Sequence, residues 1–163
     1  MTITAECLRS LLSYEATTGN FVWLRKRGRA EVGSIAGGIE PDGYRFIRIN
    51  GRKYCAHRLA WLFVNGEWPD NEIDHINGLR SDNRIANLRQ ATRSQNGANT
   101  KLPTTNSVGL KGVCFHKRNR RFQATIGLNG AKKHIGYFAT ANEAHAAYKA
   151  AAEMIYGDYA RFK

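Results

Sequence analysis

Residues 72–99 have the sequence EIDHINGLRSDNRIANLRQATRSQNGAN, and the rest of the chain is organised around this stretch. It begins with a short alternating apolar and polar run that ends at Asp74 and His75, followed by an Asn-Gly turn. A second short run comes next, and then a polar segment that contains Asn96. The pattern predicts strand, loop, strand and helix in that order.

Three side chains of this stretch have the chemistry of a hydrolytic metal site. A hard cation such as Mg²⁺ takes a few protein oxygens and leaves its other positions to water and phosphate, and the Asp74 carboxylate and the Asn96 amide oxygen meet that demand. His75 is the candidate general base, because a neutral imidazole can take a proton from water. Asp74 and His75 can face one pocket only if the strand ends or bends there. The same residues also fit a plainer interpretation, a polar surface rich in Asx turns.

The stretch and the segment before it resemble the active-site motif of HNH endonucleases of the phage and intron homing type. The family pattern is H-R-L-A-W, D-H-I-N-G and N-L-R-x-A-T-x-x-x-N, and the match covers about residues 40–100. The resemblance implies a ββα-metal fold in which Asp74 and Asn96 hold one metal ion, His75 activates water, and Asn87 braces the loop that aims the histidine. Asn96 replaces the family's last histidine, which keeps an oxygen ligand and favours Mg²⁺ or Mn²⁺ over zinc.

Residues 57–64, HRLAWLFV, predict a mostly buried helix that Gly66 ends and Pro69 prevents from resuming. His57 has two interpretations, a group near the scissile phosphate or a hydrogen-bonded structural histidine. The spacing favours the structural one, because nothing in it aims His57 at the metal.

Residues 1–55 predict a β-rich N-terminal segment. Thr4 is expected to cap a helix that ends near Tyr14, residues 21–24 to form a strand, and a hairpin to turn at 50–51. Residues 44–49 mix arginine and apolar groups on both faces, which is not typical of a core strand. We expect this ribbon to lie along DNA, although each basic residue fits a solvated surface about equally well. The expected DNA contacts are Arg25, Lys26, Arg27, Arg45, Arg48, Arg52 and Lys53.

Residues 109–163 predict a second module, joined to the first by a linker at 101–108. Residues 121–128 alternate strictly, an Asn-Gly pair at 129–130 marks a hairpin, and 112–116 and 132–138 supply two more strands. A capping box at Thr140 and Glu143 opens an alanine-rich helix. The prediction is a three-stranded antiparallel sheet with one face under the helix and the other face open and basic.

This second module resembles the plant APETALA2/ethylene-response-factor DNA-binding domain over almost its whole length. The match consists of KGV at 111–113, F-x-A-x-I at 122–126, G-x-F-x-T at 136–140 and E-A-x-x-A-Y-x-x-A-A at 143–152. The resemblance implies that the open sheet face docks in the DNA major groove. Several arginine and tryptophan readers of the plant domains are replaced by smaller or neutral groups, so the plant target sequence is not implied. The implied DNA-facing residues are Lys111, Cys114, His116, Asn119, Thr125, Gly127, Lys132 and His134, and the charge of the module adds Arg118, Arg120 and Arg121.

The composition indicates a polyanionic partner. Lys and Arg number 25 against 13 Asp and Glu, which gives a net charge of +12. No apolar run approaches the ~20 residues that cross a bilayer, and the N-terminus lacks a secretion signal, so an intracellular, cytoplasmic protein is expected. The three cysteines are far apart and indicate reduced thiols without a structural zinc.

These patterns predict an α+β protein, with a β-rich segment and ββα-metal unit over residues 1–100 and the sheet-and-helix module over 109–163. The predicted function is a metal-dependent endonuclease that nicks double-stranded DNA as a monomer, with one Mg²⁺ or Mn²⁺ per site. The alternative is a sequence-specific DNA-binding regulator with an inactive nuclease site, because most of the excess positive charge lies outside the nuclease half. A basic membrane-surface protein is a poor third, since the cationic module has no strongly apolar amphipathic face.

Overall fold

The computed structural model describes residues 3–162 and divides into two compact units, Met1–Gln90 and Ala91–Lys163. The elements of the first unit, with the strand that leads into the second, are α1 (Ala5–Leu11), β1 (Leu12–Glu15), β2 (Asn20–Trp23), β3 (Gly38–Ile39), β4 (Arg45–Ile49), β5 (Arg52–Cys55), α2 (Ala56–Asn65), β6 (Glu72–His75) and β7 (Leu88–Ala91). The second unit continues with α3 (Arg93–Ala98), β8 (Val113–His116), β9 (Arg121–Leu128), β10 (Ala131–Phe138) and α4 (Ala141–Tyr156). The protein is therefore α+β, as the sequence predicted. None of the helices in the described part of the chain is long and apolar enough to cross a membrane.

Helix α1 begins as predicted but ends earlier. The Thr4 side chain accepts a hydrogen bond from the Cys7 amide at 3.2 Å, and the helix ends at Leu11. The next four residues form β1, which pairs antiparallel with β2 so that Leu12 lies opposite Trp23. The helical spacing of the leucines did not indicate this strand, because its pairing partner β2 lies across a turn, and the fully buried Leu12 fits both patterns.

Strand β4 contributes to the core, contrary to the expectation from its mixed composition. Ile47 and Ile49 are 0% and 1% exposed, while Arg48, on the other face, lies opposite Lys53 of β5. The strand is therefore half-buried. Arg45 shares the face of Ile47 and Ile49 but lies at the end of the strand, where its guanidinium donates to the Gly37 carbonyl at 3.1 Å. Helix α2 covers this core with Leu59 and Leu62 and ends at Gly66, as predicted, in a left-handed conformation with φ 84°.

The second unit follows the predicted plan closely. Strands β8, β9 and β10 form an antiparallel sheet with β9 in the centre, and α4 begins with a capping box in which Thr140 and Glu143 bond reciprocally. Buried groups of α4, including Tyr148, pack on Ala124 and Ile126 of β9. Gly112, at φ +76°, is required here, because a Cβ would lie 2.0 Å from the Tyr148 ring. The covered sheet face and its helix are thereby confirmed.

The division between the units lies earlier than the expected linker at 101–108. Helix α3 belongs to the second unit, since Ala98 joins the core that contains Ala124 and Tyr148. The segment after it is ordered by Asn106, whose side-chain amide donates to the carbonyls of Leu110 and Val113 at 2.9 and 3.2 Å. Composition suggested a linker because turn residues and linker residues are the same types.

Candidate active site and nucleic-acid interface

Asp74 lies on β6, inside the small sheet that β6 forms with β7. Its carboxylate is buried, and Arg89 of β7 holds it: Nε and Nη2 of the guanidinium each lie 2.9 Å from Oδ2. A charged pair of this kind fixes the orientation of the carboxylate. Local sequence patterns do not indicate this pairing, because Asp74 and Arg89 are 15 residues apart and meet only when their two strands align.

His75 is the last residue of β6 and is also buried, at 4% exposure. Its Nε2 lies 3.2 Å from Oδ1 of Asn83. The Asn83 amide nitrogen donates to the Ser81 carbonyl at 3.2 Å, which turns the amide oxygen toward the imidazole. Because that oxygen only accepts, the network places the imidazole proton on Nε2 and the lone pair on Nδ1. Burial lowers the pKa of His75, so the ring is neutral at pH 7.

Asn83 is a site residue that sequence reasoning missed. It is 1% exposed, and its carbonyl accepts a hydrogen bond from the Tyr14 hydroxyl at 2.7 Å. The turn between β1 and β2 packs against the same loop, since a Cβ on Gly19 would lie 2.4 Å from the amide nitrogen of Arg84. No sequence signal could have indicated Asn83, because Tyr14 is 69 residues away. The N-terminal hairpin therefore supports the residue that orients His75.

Asn87 is buried against the loop that follows His75. Its Oδ1 accepts from the Asn77 amide at 3.0 Å, and its Nδ2 donates to the Asn77 side chain at 3.1 Å and to the Asp82 carbonyl at 2.9 Å. Its own carbonyl accepts from the Ile76 amide at 2.9 Å. These four hydrogen bonds tie both ends of the loop to one side chain and its backbone.

Two rings pack beside His75, that of His57 on α2 and that of Tyr44 just before β4. The His57 ring centroid lies 5.1 Å from that of His75 in an edge-to-face arrangement, and Tyr44 contacts both rings at 5.3 and 5.9 Å. Burial lowers the pKa of His57 to about 3, with a smaller contribution from His75. Within residues 3–162, Nδ1 of His57 is the one buried side-chain nitrogen or oxygen without a hydrogen-bond partner. The expectation of a hydrogen-bonded structural histidine is thus not met at Nδ1, and His57 instead packs directly on the candidate base.

A buried neutral His57 predicts acid sensitivity of the fold. The unfolded chain takes up a proton near pH 6.5 whereas folded His57, with its pKa of about 3, does not, so stability is lost as the pH falls from 6.5 toward 3. One such group contributes a slope of up to about 1.4 kcal/mol per pH unit. We expect wild type to lose up to about 2 kcal/mol more than His57→Phe between pH 6.5 and 5, measured by urea unfolding. The exposed His134→Phe is the control, and equal losses in wild type and His57→Phe would contradict this origin.

Asn96 lies on α3, in the second unit, whereas Asp74 and His75 lie in the first. Helix α3 opens with a capping box between Thr92 and Gln95, and Asn96 is half-buried. The two candidate ligands are a carboxylate and an amide, which are hard oxygen donors that fit Mg²⁺ or Mn²⁺. In the described residues no three or more His, Cys, Asp and Glu side chains cluster as a metal site.

The predicted basic contacts of the N-terminal segment lie at the surface and are partly engaged with neighbours. Lys26 forms an exposed ion pair with Glu31 at 2.8 Å, and Lys53 pairs with Glu40 and lies 4.0 Å from the centroid of the Phe46 ring. Exposed ion pairs of this kind contribute little stability, so they do not prevent exchange for phosphate. Strand pairing brings Arg48 and Lys53 together on the face of the β4–β5 hairpin away from the core. The other predicted contacts lie elsewhere on the surface of this unit, namely Arg25, Arg27, Arg45 and Arg52.

The open face of the second sheet carries residues that alternation alone did not reveal. A β-bulge between His134 and Gly136 shifts the register of β10, so that Tyr137 lies opposite Gln123 on the open face. The Tyr137 ring lies between the rings of His134 and His116, at 4.6 and 5.2 Å. Strand pairing also places Arg121, Thr125 and Lys132 on this face, and Arg118 and Arg120 are exposed in the turn before β9.

Lys111 is a correction to the predicted DNA-facing set. The residue is 8% exposed, and its ammonium donates to the carbonyls of Ala98 and Thr100 at 2.5 and 2.6 Å. A side chain buried in this way does not lie on the open face. The sequence match at 111–113 could not tell a lysine on the open face from a buried one, because the long side chain can place its ammonium either in solvent or inside the fold.

Comparison with known proteins identifies the class of the site. Residues 54–98 match the family model described as HNH endonuclease, so the chain contains an HNH endonuclease domain. The chain is 32% identical over 108 residues to protein 3.8 of Escherichia phage T7, which covers 66% of this chain and 88% of the phage protein. It therefore belongs to the same family as that protein.

The chain is also similar to two other proteins, one with a smaller share of its length matched and one with lower identity. An uncharacterized HNH endonuclease, L560, of Acanthamoeba polyphaga mimivirus is 30% identical over 110 residues, which is 66% of this chain and 56% of the mimivirus protein. A solved structure described as DNA binding and cleavage by the HNH homing endonuclease I-HmuI aligns with a TM-score of 0.44 and 20% identity, over 89% of this chain and 77% of that one.

Proposed function

We propose that the protein is a metal-dependent DNA endonuclease that hydrolyses phosphodiester bonds. The observation that carries the proposal is the state of His75 inside an HNH endonuclease domain: the ring is buried, neutral and held at Nε2 by Asn83, beside the ion-paired Asp74. A neutral imidazole with its lone pair on a defined nitrogen is what a general base requires. The net charge of +12 fits a nucleic acid as the substrate.

Each residue of the site has a separate role in this mechanism. Nδ1 of His75 takes the proton of the attacking water, while Asn83 keeps the ring proton on Nε2 and Asn87 holds the loop that follows the histidine. Asp74 and Asn96 would supply the two protein oxygens for one Mg²⁺ or Mn²⁺ ion, an assignment that rests on the HNH motif. When bound, the ion supplies charge stabilisation to the phosphate and the leaving oxygen. Arg89 fixes the Asp74 carboxylate from the protein side.

The experiment that tests the proposal is incubation of the purified protein with supercoiled plasmid in Mg²⁺, in Mn²⁺ and in EDTA. Relaxed circles that form only with metal support the nuclease. Tight binding without cleavage in any metal, both on plasmid and on sites enriched from random DNA, contradicts it and supports a DNA-binding regulator. Native and denaturing gels of the early products also test the expected monomeric nicking, which linear duplex fragments from the first turnovers would contradict.

We further propose that the open face of the β8–β10 sheet anchors the protein on DNA. The proposal is supported by the row of Gln123, Tyr137 and His134 across the sheet and by the exposed basic groups at its edges. Residues 101–163 carry 11 of the 25 basic side chains and 3 of the 13 acidic ones. Polar and aromatic groups on the face can contact base edges while the basic groups contact phosphates.

Two neighbouring lysines provide a matched test of this face. Lys132 lies opposite Gly127 on the open face, whereas Lys133 lies opposite the buried Ile126 on the helix side, and both are exposed. Each phosphate contact contributes about 0.9 to the slope of log K against log salt. We expect Lys132→Ala to reduce that slope by about 0.9 in fluorescence anisotropy titrations, and Lys133→Ala to leave it unchanged. Equal effects of the two substitutions would mean that the protein does not use this face.

A further inference from the structure

Helix α3, which carries Asn96, is too short to hold itself in place. It has six residues, and an isolated helix of that length is not stable in water. Its first turn is closed by its own capping box, in which Thr92 accepts from the Gln95 amide and the Gln95 side chain accepts from the Thr92 amide. The contacts at its other end therefore decide where the helix lies.

The far end of α3 is held by Lys111. The ammonium donates to the carbonyl of Ala98, the last helical residue, and to that of Thr100 just beyond it. These carbonyls have no partner within the helix ladder, and a cation is favourable at the negative end of the helix dipole. Burying an ammonium is costly unless its hydrogen bonds are satisfied. The two carbonyls offset that cost, so the buried position of Lys111 depends on its contacts with the end of α3.

Lys111 is itself fixed by the sheet and by α4. Its carbonyl lies 3.0 Å from Nδ1 of His145, and the residue after it is Gly112, which packs against the Tyr148 ring. Two weaker connections accompany the lysine: the Asn129 amide of the β9–β10 turn donates to the Ser94 hydroxyl at 3.0 Å, and the Arg161 amide donates to the Ala98 carbonyl at 3.3 Å. The helix is thus built onto the C-terminal sheet and helix.

We infer that Lys111 is a positioning residue for the nuclease, which holds α3 and thereby the Asn96 amide in the orientation that binds the metal ion. The inference rests on the proposed function. The C-terminal module then has two tasks, because it presents its open face to DNA and also supports a ligand of the catalytic ion. Lys111 acts on the metal through the helix and does not contact DNA.

The test is Lys111→Met, which keeps the length of the apolar stem and removes the three donors. Lys101→Met, an exposed lysine of the neighbouring segment, is the matched control for lost charge. Three quantities are measured: hydrogen exchange of the 93–100 backbone, Mn²⁺ binding to the protein without DNA by electron paramagnetic resonance, and plasmid cleavage over a range of Mn²⁺. DNA binding in EDTA is the fourth measurement, since it reports the contacts with DNA that do not need the metal ion.

We expect Lys111→Met to accelerate exchange in 93–100 and to raise the Mn²⁺ concentration for half-maximal binding and cleavage about 10-fold, in the range that loss of a group supporting a metal ligand produces. DNA binding in EDTA should change less than about twofold, because no phosphate contact is lost. Lys101→Met should match wild type in exchange, Mn²⁺ binding and cleavage. If Lys111→Met does not fold, Ser94→Ala, which removes the Asn129 contact, must raise the Mn²⁺ midpoint in the same direction.

Two failures are distinguishable. Wild type that neither binds Mn²⁺ nor cleaves DNA overturns the proposed function and this inference with it. Wild type that does both, together with a Lys111→Met protein whose Mn²⁺ midpoint is unchanged, overturns the inference alone, whether or not exchange in α3 becomes faster.

Discussion

Replacing His75 with alanine is expected to lower the rate of DNA cleavage by about 10²- to 10⁴-fold at saturating metal, the usual contribution of a positioned general base. The imidazole is buried and neutral, and Asn83 fixes its proton on Nε2, so the variant loses the group that takes the proton from the attacking water. The measurement is the initial rate of loss of supercoiled plasmid at equal Mn²⁺ for wild type and variant.

Glu67→Ala is the control, because it removes an exposed titratable side chain of the same unit that has no part in the proposed site. Added imidazole should restore part of the activity of His75→Gly and none to a variant that has lost the metal. Urea unfolding of both variants separates a chemical effect from a loss of folded protein. A His75→Ala protein that cuts as fast as wild type at equal metal would falsify the assigned role.

Asp74→Asn is expected to reduce cleavage by at least about 10³-fold, because it removes the one carboxylate proposed to hold the ion. It should also lower the free energy of unfolding by about 2 kcal/mol, since Arg89 then donates to a neutral amide oxygen inside the sheet in place of a carboxylate. Plasmid cleavage and urea unfolding measure the two effects separately. Asp70→Asn, an exposed change just before β6, should alter neither.

The double variant Asp74→Asn with Arg89→Met separates the structural role of Asp74 from the catalytic one. Removing both charges leaves no unpaired guanidinium, so stability should return toward wild type while cleavage stays lost. Recovery of cleavage in the double variant would show that Asp74 serves the fold through Arg89 and does not hold the metal.

Local sequence patterns were sufficient to predict most helices and strands of the second unit. Strict alternation in 121–128, the Asn-Gly turn at 129–130 and the Thr140 capping box each depend on residues within a few positions of one another, and the structure confirms all three. The strand β1 and the buried face of β4 were not predicted, because their burial depends on partners that the local pattern does not contain. The β-bulge that brings Tyr137 to the open face was missed for the same reason.

The sequence by itself determined the kind of chemistry available: an acidic residue beside a histidine, two asparagines at set distances after them, and a strongly positive chain. Only the tertiary structure decided how those groups are held. Arg89 reaches Asp74, Asn83 orients His75 with support from Tyr14, and Lys111 turns inward to hold α3. The physical reason is that residue type sets what a side chain can donate, accept or bind, whereas burial and hydrogen-bond partners arise from residues brought together across the chain.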